Sequence, residues 1–105
     1  MEYRFTTENF DAEVINSNIP VLVDFYADWC GPCKMMMPVV EKMAEAYDGK
    51  VKVGKVNSDD EGQLAERYGI MTIPSFLVFK NGEVINSASG VMSAEALAKM
   101  LDAAL

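Results

Sequence analysis

Val21-Leu22-Val23-Asp24-Phe25-Tyr26-Ala27-Asp28-Trp29-Cys30-Gly31-Pro32-Cys33 runs from an apolar strand into a helix, with the chain's only two cysteines at the join. Val21 to Ala27 is nearly continuous in apolar residues, the pattern of a strand covered on both faces. Beyond the cysteines, Met36, Val40, Met43 and Tyr47 recur at helical spacing, so a long helix follows at once. Pro32 falls in its first turn, where a missing N–H costs nothing. Pro38 falls inside it and is expected to kink it, having no N–H and clashing with the preceding turn. Two thiols separated by two residues can face each other across that first turn. They can then exchange between dithiol and disulfide with little backbone movement.

Outward from this stretch, Tyr3-Arg4-Phe5 reads as a short strand, and Thr7 as the N-cap of a helix carrying Phe10 and Val14 on one face. Asp48-Gly49 stops the long helix, and Val51 to Val56 is the next strand. Asp60-Glu61-Gly62-Gln63 has the form of a capping box before a short helix through Leu64 and Tyr68, closed by Gly69. Phe76 to Phe79 is a strand, Asn81-Gly82 a tight hairpin turn, and Glu83-Val84-Ile85 the antiparallel return. Ser93 caps a last helix with Leu97, Met100, Leu101 and Ala104 as its inner stripe. The order βαβαβαββα predicts an α/β fold: a mixed five-stranded sheet, parallel in part and closed by one hairpin, flanked by four helices.

The 105 residues suffice for one domain, residues 1–105, with a core that needs no staples. Charge breaks every longer apolar run, so no membrane span is expected. A net charge of −7 argues against nucleic acid or an anionic membrane as partner. Met1-Glu2-Tyr3-Arg4-Phe5 lacks the basic start and apolar stretch of a secretory leader, so the expected location is cytoplasmic. There thiols are kept reduced, and a lone close pair points to catalysis rather than to structure.

Three chemistries compete for Cys30 and Cys33. As a structural cross-link the pair closes a very short loop, worth roughly 2 kcal/mol in the chain-entropy view, well below a long bridge. As a zinc site it offers two ligands of the usual four, in a chain without histidine. Redox exchange remains as the strong reading. The lack of histidine also means that any proton must move through a carboxylate, lysine, tyrosine, backbone or water. Asp24 interrupts an otherwise apolar strand. Two readings fit it equally: a core carboxyl of raised pKa able to take the Cys33 proton, or a strand-end aspartate that is solvated or hydrogen-bonded. Met35, Met36 and Met37 point in successive directions around the helix and so cannot form one site; they are expected to fill core gaps and edge the surface.

A Cys-x-x-Cys pair at a strand-to-helix junction in such a chain resembles the thioredoxin family. The resemblance spans essentially the whole length. It rests on Trp29-Cys30-Gly31-Pro32-Cys33-Lys34, Val23-Asp24-Phe25, Pro38, Lys55, Tyr68-Gly69-Ile70, Ile73-Pro74-Ser75, Phe79-Lys80-Asn81-Gly82 and Gly90. Gly31-Pro32 resembles the reducing members; the isomerases and periplasmic oxidants of the superfamily usually carry histidine before the second cysteine. The chain departs in Tyr26, where many bacterial members have tryptophan, in the run Met35-Met36-Met37, and in Ser75, where threonine is common.

The resemblance implies the thioredoxin fold and a thiol–disulfide oxidoreductase that reduces protein disulfides. Cys30 would be the nucleophile and Cys33 the resolving thiol. Asp24 would be the proton acceptor, with Lys55 as its charge partner. It implies a cis peptide bond before Pro74, although composition alone favours trans. Ile73 would then offer its backbone to an extended substrate segment. Trp29, Gly31, Pro32, Ile73, Pro74, Gly90 and Val91 would form a small apolar docking surface. The implied partners are protein disulfides and a flavin-dependent, NADPH-fed thioredoxin reductase. The chain would work as a monomer with no cofactor beyond its own disulfide. Two alternatives stand beside this: an oxidase or isomerase on the same fold, or a binding subunit whose turnover is incidental. Replacing both cysteines with serine abolishes the role of a reductase and spares that of a subunit.

Overall fold

A computed structural model describes residues 1–105. Its five strands, β1 (Glu2–Arg4), β2 (Val21–Tyr26), β3 (Lys52–Asn57), β4 (Ser75–Lys80) and β5 (Glu83–Ser89), form one sheet in the order β1-β3-β2-β4-β5. β1 and β2 both run parallel to β3, while β4 is antiparallel to β2 and to β5. The stretch Val21–Tyr26 is thus the middle strand, and all of it but Tyr26 is buried. Alternation of side chains then divides the core into two layers. Leu22, Val53, Phe76 and Val78 meet Met36, Val40 and Met43 of helix α1 (Gly31–Ala46) and Leu97 and Leu101 of α3 (Ala94–Asp102). On the other face Val21, Val23, Phe25, Val56, Leu77 and Phe79 meet Phe5, Phe10, Val14 and Leu64, the last from α2 (Gly62–Arg67). Each large apolar side chain fully buried in these layers contributes about 1.5–3 kcal/mol. Asp24 shares parity with Leu22 and therefore points under α1.

Helix α1 runs through Pro38 to Ala46, the single long helix that the Met36, Val40, Met43 spacing predicts. Of the three successive methionines, Met36 is in the core and also accepts the Met92 N–H at 3.3 Å through Sδ; Met35 and Met37 are exposed. The hairpin turn has positive φ at both Asn81 (54°) and Gly82 (82°), as a type I′ turn requires. Ser93 Oγ accepts the Ala96 N–H at 3.1 Å and starts α3.

Two expected caps differ. Thr7 does not cap the first helix: Thr6 and Asn9 exchange side chain-to-backbone bonds at 2.8 and 3.2 Å. The helix that follows, Asp11–Ile15, is π-wound, the Asn16 N–H reaching back to the Asp11 carbonyl. Nor does a capping box form at Asp60–Gln63. The Glu61 carboxylate is taken by Thr7, whose N–H and hydroxyl both donate to it at 2.9 and 3.0 Å. At the far end of α2 the expectation holds. Gly69 is left-handed (φ 62°), Ile70 N–H bonds the Ala65 carbonyl and Gly69 N–H that of Glu66.

Candidate active site

Strand β2 delivers its carboxyl end to the start of α1, and the join is a short turn through Asp28 and Trp29. Cys30 is the N-cap residue of α1, with extended backbone (φ −86°, ψ 111°). Its Sγ accepts the Cys33 N–H at 3.2 Å, one of the amides a helix start leaves without a backbone partner. The two cysteines are joined as a disulfide, Cα atoms 5.2 Å apart. In this oxidised state both are buried, Cys30 at 4% and Cys33 at 3% exposure, packed with Ala27.

The outer side of the pair opens on a groove walled by Trp29, Cys30, Gly31 and Pro32 on one bank and Met71, Thr72 and Ile73 on the other. Trp29 is 71% exposed and held by its indole N–H, which donates to Asp59 at 2.8 Å. The Ile73-Pro74 bond is cis. The Ile73 carbonyl lies 3.9 Å from Cys30 Sγ, and neither its carbonyl nor its N–H has a backbone partner. Pro74 is buried beneath, its carbonyl accepting the Gly90 N–H at 2.9 Å. Gly90 makes this bond from a left-handed conformation (φ 86°), open to glycine at no steric cost. Gly90 and Val91 do not wall the groove; Val91 follows β5 and is half exposed.

The inner side of the pair meets a second cavity, in which Cys33 and Asp24 are both wall residues. Asp24 is 5% exposed and its Oδ1 has no hydrogen-bond partner. Burial, and next the negative charge of Glu2, push its pKa up to about 7, against the pull of Lys55. Lys55 faces Asp24 in strand register, yet no ion pair closes between them; its ammonium lies over the Tyr26 ring, 5.3 Å from the centroid. Of the two readings of Asp24, the solvated strand-end aspartate does not match this buried position. Glu2, Glu41 and Met37 in this cavity, Met71 and Thr72 in the groove, and Asp59 against Trp29 were not anticipated. Glu2 alternates in phase with Arg4, but only the β1–β3–β2 register places it near Asp24.

A disulfide at a helix start, faced by a cis-proline loop, completes the geometry. The thioredoxin family's sequence profile matches residues 2–103. The chain belongs to the thioredoxin family. It is 45% identical over 97 residues to thioredoxin 1 of Nostoc sp. and 47% identical over 97 to a thioredoxin of Pyropia yezoensis. Each alignment covers 92% of this chain and 91% of the relative. Thioredoxin 1 of Synechococcus elongatus is similar at 46% over 97 residues, with the same coverage. As a member of the family with its cysteine pair in place, the protein is a thiol–disulfide oxidoreductase that reduces protein disulfides. Its sheet and flanking helices have the thioredoxin fold. No helix is long and apolar enough to cross a membrane, and no group of three or more carboxylate or thiol side chains is arranged to hold a metal.

Proposed function

We propose that Cys30 is the attacking thiolate and Cys33 the resolving thiol. One observation carries this assignment: the disulfide has two unlike sides, Cys30 on the open groove and Cys33 on the Asp24 cavity. In the reduced protein the Cys30 sulfur sits at the amino end of α1, where the Cys33 N–H and the helix dipole favour negative charge. The thiolate attacks one sulfur of a substrate disulfide, forming a mixed disulfide and expelling the other sulfur as a thiolate. Cys33 gives its proton to the Asp24 carboxylate, and its sulfur attacks Cys30. The second substrate sulfur leaves, the Cys30–Cys33 disulfide forms, and two electrons have passed to the substrate. The cavity of about 160 Å³ is several times the size one water needs, so the proton can travel through solvent.

Lys55 tempers the cost of ionising Asp24 and belongs to the same machinery. Trp29, Gly31, Pro32, Ile73, Pro74, Gly90 and Val91 form or support the docking surface, and the unpaired Ile73 N–H and C=O suit an extended substrate strand. Residues 1–105 act as a single domain and as a monomer. The protein carries no cofactor beyond its disulfide, is recharged by a flavin-dependent, NADPH-fed thioredoxin reductase, and works in the reducing cytoplasm. The test is Cys33→Ser with a disulfide-bonded protein substrate. The variant should accumulate a mixed disulfide through Cys30, resolved on non-reducing gels and by mass. Prompt release of reduced substrate from that variant reverses the assignment.

A further inference from the structure

The cavity behind Cys33 holds more negative charge than one proton acceptor calls for. Asp24 of β2, Lys55 of β3 and Arg4 of β1 stand in one register row across the sheet, and Glu2 lies two residues from Arg4 on the same face. Helix α1 closes the space with Lys34 and Glu41, and Asp28 borders it beyond β2. Arg4, Lys34, Asp28 and Glu41 are exposed, so solvent screens them. Glu2 and Lys55 are partly buried, and they are the charges that act on Asp24. The amino terminus, which pairs with Asp48 and donates to the Ala44 carbonyl, and Glu41 act on Glu2 in opposite directions.

We propose that Glu2 is a positioning residue of the redox site: its carboxylate, placed by edge strand β1 in the Asp24 cavity, raises the affinity of the Asp24 carboxylate for the Cys33 proton. Glu2 is the more exposed of the two and ionises first; its own pKa is raised chiefly by burial. The resulting negative charge makes a second ionisation in the same poorly solvated space harder, so the pair titrates as a coupled unit. Lys55 pulls the other way and leaves the balance close to the pH at which the resolving proton must move. This deepens, and rests on, the reading of Asp24 as acceptor of the Cys33 proton.

Glu2→Gln keeps the shape and removes the charge, at a strand residue that is not in the core. The experiment is a carboxyl-carbon NMR titration of Asp24 in the wild type, Glu2→Gln and Glu41→Gln, with the pH dependence of insulin reduction alongside. Glu2→Gln should move the Asp24 inflection to lower pH. It should also raise the ratio of the rate at pH 6 to that at pH 8 by about two- to fivefold. Glu41→Gln, which acts on Glu2 more than on Asp24, should move the inflection less. An unmoved inflection in Glu2→Gln, or an equal shift in both variants, overturns the proposal. In an Asp24→Asn background, Glu2→Gln should leave the rate profile unchanged. If instead the Asp24 inflection moves while Asp24→Asn itself has a wild-type pH–rate profile, the coupling stands and the acceptor role of Asp24 is what fails.

Discussion

An aspartate buried with one oxygen unpartnered costs the folded chain free energy whenever it ionises. The Asp24 pKa, about 7, lies above its ordinary value of 3.8, so between those limits the folded state binds more protons than the unfolded state. Stability therefore falls as pH rises through this window, is unaffected by the group below it, and bears the full penalty above. The interval corresponds to roughly 4 kcal/mol. Asp24→Asn, compared with the wild type by urea denaturation, should be more stable by up to about that amount at pH 8 and nearly equal near pH 4. A constant difference across the range would mean the carboxyl is not desolvated as described. Asp24 was legible because it broke an apolar strand, and the cysteines because no others exist. Glu2 was not: at an edge strand's start a glutamate looks like any solvated acid, and only register brings it to Cys33.

At the scale of elements, β3 is one of the three strands with a neighbour on either side. Gly54 lies opposite Tyr3 in β1, and a Cβ there would come within 2.7 Å of Phe5 Cζ and 2.8 Å of Tyr3 Cβ. The glycine is thus a matter of space and not of backbone conformation. Gly54→Ala should lower stability by about 1–3 kcal/mol, seen as an earlier urea midpoint at unchanged slope, because two aromatic side chains must shift. A variant as stable as the wild type would show that Phe5 repacks freely. The helix was legible from the period of Met36, Val40 and Met43, and the strand Val21–Tyr26 from a short apolar run rich in valine and aromatic residues. Caps were less so. The residues at Asp60–Gln63 suit a capping box, yet Thr7, 54 positions earlier than Glu61, supplies two donors to its carboxylate. The π-winding of Asp11–Ile15 has no marker in its composition.

At the scale of the molecule, the order β1-β3-β2-β4-β5 puts the middle strand's end, the cis-proline loop and the Gly90 turn beside one disulfide. That convergence was legible only through family resemblance, since nothing local in Ile73-Pro74 or Gly90 announces the cysteines. The balance between dithiol and disulfide is a property of the whole fold, because it measures how differently the fold tolerates the two states. For this two-electron couple about 30 mV corresponds to about 1.4 kcal/mol. Equilibration with glutathione or dithiothreitol buffers should place the couple near −270 mV, as for a reductase; a value of about −180 to −120 mV would make the protein an oxidant. Trp29 adds a last consequence. It is the chain's only tryptophan, adjacent to Cys30 and tethered to Asp59. Light at the red edge of indole absorption therefore excites one site in the molecule, and disulfides quench nearby excited indoles. The protein thus carries its own optical gauge: emission should brighten as the bridge opens and dim as it closes, so turnover can be followed without a label.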